Sequence, residues 1–510
     1  MERQEGLSYF RAIMTFEEFK ELAEAYNVIP VSERMLADTL TPVSAYLRLR
    51  EGAACSFLLE SVEGGERFAR YSFLGRDPIA ILKCKEKTTR ISEVRPADAT
   101  RSERVSDENF FEIINGLVGR YRQPPLPFLP RFRGGLVGFI GYDAIRFIEN
   151  IPSAAADDIK LDDSVLGLYT SVLVFDHLKH EIITIVNVLI EPGSDLRRQY
   201  EDALKEITRL ESLLADRESR PHDFHLLPGQ LPGQTIDQTE KDGFEEIVRK
   251  AKHYIEEGDI FQVVLSRRFS AGISGDPFNA YRSLRVINPS PYLYYLDFDG
   301  FRVIGSSPEI LVRMENGIAE VYPIAGTRPR GITEEEDRKL EAELLADEKE
   351  RAEHVMLVDL GRNDLGRVCE VGSVVVDQLM TVVRYSHVMH IASRVVGKVR
   401  QGTTCVDLLK ATFPAGTVSG APKIRAMEII DELETSRRGL YAGGVGYFDF
   451  SGNMDMCIAI RTMFSSNGRI YLQAGAGIVA DSDPAREYDE TTNKARALVE
   501  ALQMAEGISR

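Results

Sequence analysis

The 510-residue chain contains no tryptophan, although it has 24 Phe and 19 Tyr. That absence removes indole as a building element and leaves the fold class open. Cysteine is scarce as well: Cys55, Cys84, Cys369, Cys405 and Cys457, none in a Cys-x-x-Cys pair. An odd number without paired spacing excludes a disulfide frame or a zinc ribbon and fits reduced thiols in the cytoplasm. No run approaches the roughly 18 apolar residues of a membrane-spanning helix. The opening MERQEGLSYF has no basic stretch followed by an apolar one, so no secretory signal is expected. Positive charge is in deficit, with 62 Lys+Arg against 79 Asp+Glu and a net charge of −17. So acidic a chain is a poor match for phosphate backbones or anionic lipid, and neither nucleic acid nor membrane is expected as a partner.

What is present is ordinary globular material, 44% hydrophobic and 28% charged, long enough for two or three domains. Residues 15–26 read as a short helix, and 43–190 as mostly strand. LGLYTSVLVF (166–175) and EIITIVNVLI (181–190) predict a hairpin of two long strands. The period then becomes helical over 196–214. The polar, Pro- and Gly-rich stretch 215–238 reads as a linker between a domain at 1–214 and a larger one at 239–510. A helical stripe follows at 244–255. Thr333 and Glu336 form a capping box for a long helix through about Val358. Asp483-Pro484 starts a last helix through about 505. GGLVGFIGY (134–142) and GGVGYFDF (443–450) echo each other faintly, as chance strand-and-turn composition also would.

Two helices carry glutamates at i, i+3: Glu350 with Glu353, and Glu487 with Glu490. That spacing puts each pair on one face, and four converging carboxylates would make a hard-oxygen cage suited to Mg2+. Solvated helix faces carry such pairs too. Before the second pair, YLQAGAGIVADSDP holds Gly475, Ala476 and Gly477 in a glycine-rich loop whose amides could hold an anion. A strand packed closely on another backbone has the same composition. Arg461 ends an apolar strand, where a guanidinium can grip a carboxylate, and Lys494 lies one turn beyond Glu490. PIAGTRPRG (323–331) reads as a turn-rich stretch. SSPE presents Glu309 after a strand, HVMLVDLGRNDLGR closes in a polar loop, and FPAGTVSGAPK reads as an anion-friendly loop. His390 falls inside a strand or helix, where a histidine is more often core than catalyst.

Together these segments resemble the chorismate-utilising enzymes, and among them the anthranilate synthase large subunits (component I). PIAGTRPRG, AEHVMLVDLGRNDLGR, FPAGTVSGAPK, YAGGVGY, IRT and QAGAGIVADSDP occur in the family's order, and LLES, RYSFLG and GGLVGFIGYD match its first domain. The resemblance implies an α+β fold of large antiparallel sheets packed as a sandwich with helices outside. It implies chorismate as substrate, with Mg2+ on Glu353 and Glu490 and with Glu350 and Glu487 acting through water. Substrate contacts fall on Gly326, Thr327, Tyr441, Arg461, Gly475, Ala476, Gly477, Val479 and Lys494. Glu309 matches the general acid, which must protonate a leaving hydroxyl. His390 and Thr417 match residues near the reacting ring.

Two positions separate the sister reactions. Gln262 stands where isochorismate and salicylate synthases carry a lysine that activates water, and Ala325 stands where many aminodeoxychorismate synthases carry a lysine. Both point to ammonia addition and anthranilate. The alternatives are aminodeoxychorismate synthase component I and a non-catalytic chorismate-binding subunit. No cysteine sits between glycines, as the family's glutaminase elbow requires, so ammonia is expected from a separate glutamine amidotransferase (component II) in a heterotetramer of two of each chain. The resemblance also implies tryptophan inhibition through Glu60, Ser61, Pro291, Tyr292 and Leu293.

Overall fold

The computed structural model describes residues 14–61, 70–94, 101–215, 236–237, 239–273, 275–385 and 388–508. Its frame is two twelve-stranded sheets whose ladders are all antiparallel. Alternating apolar residues put one face of each sheet against the other, with Phe57, Phe73 and Tyr294 from one meeting Val137, Phe139 and Val445 from the other. Helices cover both outer faces over two further apolar clusters. This is the α+β sandwich expected from the resemblance.

Strands from before and after residues 215–238 share both sheets, in two blocks that meet at one ladder in each. In the first, Ser56–Glu60 pairs with Tyr292–Phe298, placing Leu293 opposite Glu60. In the second, Gly135–Ile140 pairs with Gly444–Asp449, so the two echoing glycine-rich segments are neighbours, with Gly138 opposite Gly446. A Cβ on Gly138 would lie 2.0 Å from the Val165 carbonyl oxygen, and one on Gly446 2.0 Å from that of Asp455. Close strand approach, not turn formation, sets these glycines. Of the expected linker, Ile236–Asp237 pairs with Phe269 and Ser270, while 216–235 and 238 lie outside the described residues.

Several local expectations change. The run 166–175 is two strands in different sheets, Ser164–Tyr169 and Ser171–Asp176, and only the second forms the hairpin with Glu181–Leu189. The chain crosses between sheets at Thr170, whose carbonyl accepts both the N–H and the side-chain amide of Asn187 at 2.8 and 2.9 Å. Helices Pro42–Leu49 and Phe110–Arg120 interrupt the region read as strand. The helix after Thr333 ends at Ala346, and a second runs from Glu348 to Gly366. Asp347 divides them: its N–H donates to Leu344 O, and its carboxylate caps the next helix at Lys349 and Glu350. Glu336 bonds Ile332 N–H and does not close a box on Thr333. The RND segment is helical, not a loop: Asp359 pairs with Arg362 one turn on, and Asp364 with Lys423. PIAGTRPRG supplies a strand, Ile324–Pro329, and the last helix spans Pro484–Ile508. No helix among the described residues is long and apolar enough to cross a membrane.

Candidate active site

Gly475–Gly477 does not form a loop: it lies inside the strand Arg469–Ile478, opposite Ser266, Leu265 and Val264. The other neighbour, Thr462–Ser466, pairs only as far as Leu472, so one edge of the strand opens beyond it. Val264 and Ser266 give their N–H groups to Ser419 O and Glu434 Oε1. Gly477 and Gly475 opposite them are therefore non-hydrogen-bonded pairs, and their own N–H groups turn to the open edge. The Gly475 carbonyl shows this orientation by accepting from Lys494 Nζ at 3.2 Å. A Cβ on Gly475 would stand 2.5 Å from the Tyr441 hydroxyl, and one on Gly477 2.8 Å from Gln262 Nε2. Glycine admits both side chains to this edge. The Val479 N–H donates to Ser482 Oγ at 3.1 Å, at the entry to the last helix.

Glu309 follows the strand Phe301–Ser307 and is anchored by Ile458 N–H on its carbonyl at 3.0 Å. Its side chain is half-buried, and that desolvation pushes its pKa above the ordinary range. The Thr417 hydroxyl, donating at 3.1 Å, and the charges of Lys494 and Arg461 pull the other way. A carboxyl held toward its neutral form beside cations is a proton donor in waiting. Arg461 adopts a left-handed backbone, φ 49°, which costs an L-residue about 1–2 kcal/mol. Tyr441 is buried under Arg438, whose guanidinium bonds Glu434, Val418 O and Val264 O. Sequence reasoning missed Glu434 and Arg438: the pair lies just past the helix Lys423–Leu433, where the chain is no longer helical and spacing gives no signal.

His390, on the strand Val388–Lys398, lies opposite Thr327, and its Nδ1 is 2.9 Å from Gly326 O and 3.0 Å from Thr327 Oγ1. A carbonyl only accepts, so Nδ1 carries the proton and Nε2 keeps its lone pair. Desolvation lowers the ring's pKa, with Arg461 acting in the same direction. Gly326 has φ 65°, and a Cβ there would approach Glu350 Oε2 to 3.2 Å. Arg328 binds Glu350 at 3.2 Å and Asp347 at 2.8 Å. It lay within a segment singled out in the sequence but was passed over.

The four glutamates approach from the helices Glu348–Gly366 and Pro484–Ile508. Burial raises the carboxyls of Glu353 and Glu487, and in each the neighbouring glutamates raise it further. Glu490 pairs with Lys494 at 2.7 Å. Gln262 Nε2 donates to Glu353 at 3.0 Å, while its buried Oε1 has no partner among the described residues. No three acidic, His or Cys groups among those residues cluster tightly enough to hold a metal alone. Glu353 and Glu490 lie close enough to repel each other, and such a carboxylate pair suits a cation that takes its remaining ligands from water and substrate.

A second cleft of about 440 Å3 opens where Ser56–Glu60 meets Tyr292–Phe298. It is lined by Glu60, Ser61, Pro291, Tyr292, Leu293 and Tyr294 together with Tyr71, Arg131, Tyr447 and Asp455. The Ser61 hydroxyl is buried and has no partner among the described residues. The Glu60 carboxylate is occupied by Arg285 at 3.0 Å and by the Tyr281 hydroxyl. Tyr292 donates to Asp455 at 2.8 Å.

A family model described as chorismate binding enzyme matches residues 55–500. Anthranilate synthase component 1 of Acetivibrio thermocellus is 51% identical over 96% of this chain and 98% of its own length. That of Aquifex aeolicus is 48% identical over 97% and 98%. The crystal structure of anthranilate synthase component I from Streptococcus pneumoniae superposes with a TM-score of 0.74 at 40% identity, covering 92% of this chain and 99% of that one. With the ordered motifs gathered close together and likeness over nearly the whole length, the chain belongs to the chorismate-binding enzyme family, in its anthranilate synthase component I branch.

Proposed function

We propose that the chain converts chorismate and ammonia to anthranilate, pyruvate and water, the first committed step toward tryptophan. The observation that carries the reading is Glu309, a carboxyl raised by burial that faces Arg461 and Lys494. Arg461 and the outward N–H groups of Gly475 and Gly477 bind one substrate carboxylate. Glu353 and Glu490 hold Mg2+, with Glu350 and Glu487 acting through water. When bound, the ion supplies a Lewis-acid centre for the other carboxylate. Ammonia forms the C2–N bond while Glu309 protonates the departing C4 hydroxyl, which leaves as water. Loss of pyruvate and of the C2 proton then makes the ring aromatic, with His390 Nε2 as the free base nearest to Gly326 and Thr327. Thr417 orients Glu309. Gln262 offers an amide and no basic nitrogen, which disfavours water as the nucleophile.

Ammonia comes from a separate glutamine amidotransferase, component II, in a heterotetramer of two of each. All five cysteines are buried, and burial raises every thiol, those of Cys84 and Cys405 to about 12. Thiols so suppressed are poor nucleophiles, so the glutaminase chemistry belongs to another chain. Tryptophan inhibits by filling the second cleft, between the Ser56–Glu60 and Tyr292–Phe298 strands, where Ser61 offers a free hydroxyl and the Arg131–Asp455 ion pair lies in the wall.

The test is incubation with chorismate, Mg2+ and ammonium salt at alkaline pH. Anthranilate fluorescence supports the reading; 4-amino-4-deoxychorismate or isochorismate overturns it. Glu353→Gln and Glu490→Gln should each weaken Mg2+ binding in a titration and remove the Mg2+-dependent rate. Ser61→Phe should lose tryptophan sensitivity while ammonia-dependent turnover persists; an unchanged inhibition curve would sink the cleft assignment.

A further inference from the structure

The left-handed turn at Arg461 is held from one side of the molecule. Ser306 N–H donates to Arg461 O at 3.1 Å. The Thr462 hydroxyl donates to Ile460 O at 2.8 Å, closing the turn across Arg461. With its proton used there, the same oxygen accepts from the Tyr294 hydroxyl at 2.5 Å. Tyr294 is buried, and its ring lies across Gly305, where a Cβ would come within 2.2 Å of it. The same tyrosine lines the cleft that holds the free Ser61 hydroxyl. One side chain therefore touches the second cleft and the backbone that aims the active-site guanidinium.

We infer that Tyr294 is a positioning residue for Arg461: its hydroxyl, acting through Thr462, holds the turn that directs the guanidinium at chorismate, and a ligand in the cleft weakens that grip by shifting the ring. The inference rests on the proposed role of Arg461 and, for its second half, on the cleft as the tryptophan site. The physical argument is short. An L-residue leaves the left-handed region unless surrounding bonds over-determine it. Here those bonds come from Ser306 and from the Tyr294–Thr462 pair. Both donors belong to the strands Tyr292–Phe298 and Phe301–Ser307, which pair with each other.

Phenylalanine fits the recess over Gly305, so Tyr294→Phe removes the bond and keeps the packing. Without tryptophan, its chorismate KM should rise about fivefold, the worth of one neutral hydrogen bond, with kcat within about twofold of wild type. Thr462→Val should give the same rise, the double variant no more than either single one, and Thr462→Ser should restore the wild-type KM. A merely structural loss would lower kcat or the unfolding temperature without that pattern. An unchanged chorismate KM in Tyr294→Phe, or rises that add in the double variant, overturns the inference. If Arg461→Gln itself leaves KM unchanged, the assigned role of Arg461 fails instead. Calorimetry with tryptophan separates the second half. If wild type does not bind it, the cleft reading fails and the positioning role stands. If Tyr294→Phe binds tryptophan as wild type does, the increase in chorismate KM that tryptophan causes should shrink; an increase by the wild-type factor overturns the coupling.

Discussion

Glu309 and Glu60 are both carboxylates carried at strand ends, the first half-buried and the second buried, yet their company differs even more. Glu309 meets one neutral donor, Thr417, and two cations that influence it without bonding it. Glu60 meets the Arg285 guanidinium through two bonds and the Tyr281 phenol through another. Burial disfavours an ionised carboxyl anywhere in a protein, so partners decide the outcome. With one weak partner, Glu309 is left able to exchange a proton. Bound by Arg285 and Tyr281, Glu60 becomes a fixed strut joining the Ser56–Glu60 strand to the Phe278–Ile287 helix. Reactivity in this molecule follows from incomplete satisfaction and rigidity from complete satisfaction.

The largest test of that contrast is Glu309→Gln, which keeps shape and removes the transferable proton. Ammonia-dependent kcat should fall about 10^3-fold with the unfolding midpoint little changed. A variant retaining wild-type kcat would show that Glu309 is as structural as Glu60. Next, Arg285→Met strands the Glu60 carboxylate. It should lower stability by about 2 kcal/mol in urea unfolding, less than for a wholly buried pair because a third of the Arg285 side chain is exposed. Adding Glu60→Gln should recover most of that loss, and no recovery would mean that packing, not charge, dominates there. The smallest effect belongs to Thr417→Val. The Thr417 hydroxyl favours the ionised form of Glu309, so its removal raises the carboxyl further. On the proposed general-acid role, catalysis needs the protonated form and fails as pH rises through that pKa. The alkaline limb of kcat should therefore move to higher pH. A limb that stayed in place would detach Glu309 from the pH profile.

Much of the site was legible because its chemistry sits in short ordered segments. Glu309, Arg461, His390 and the two glutamate pairs were named from such segments, and the structure brings them within electrostatic reach of one another. The glycines were legible as important but not as strand: an open edge beside Leu472 depends on where the Thr462–Ser466 strand stops, a property of two segments and not of one. Arg328 and Arg438 went unseen for a related reason. Each acts by bonding a partner, and a surface arginine and a buried one look alike in sequence. The helix break at Asp347 was missed because Asp is tolerated inside a helix, while here its carboxylate caps the helix that follows.

The sequence by itself determined the family and the order of its characteristic segments, since these depend on residue identity and local spacing. It also fixed which helix faces carry paired carboxylates, because a period of 3.6 residues is local. Only the tertiary structure decided that Thr170 sends one apolar run into two sheets, that LLES lies beside NPSPYLYY, and that Gly475 and Gly477 turn their N–H groups outward. The last two arise from pairing between strands about two hundred residues or more apart in the chain. Sequence spacing records which faces a strand has, and only the folded sheets select which strand meets each face.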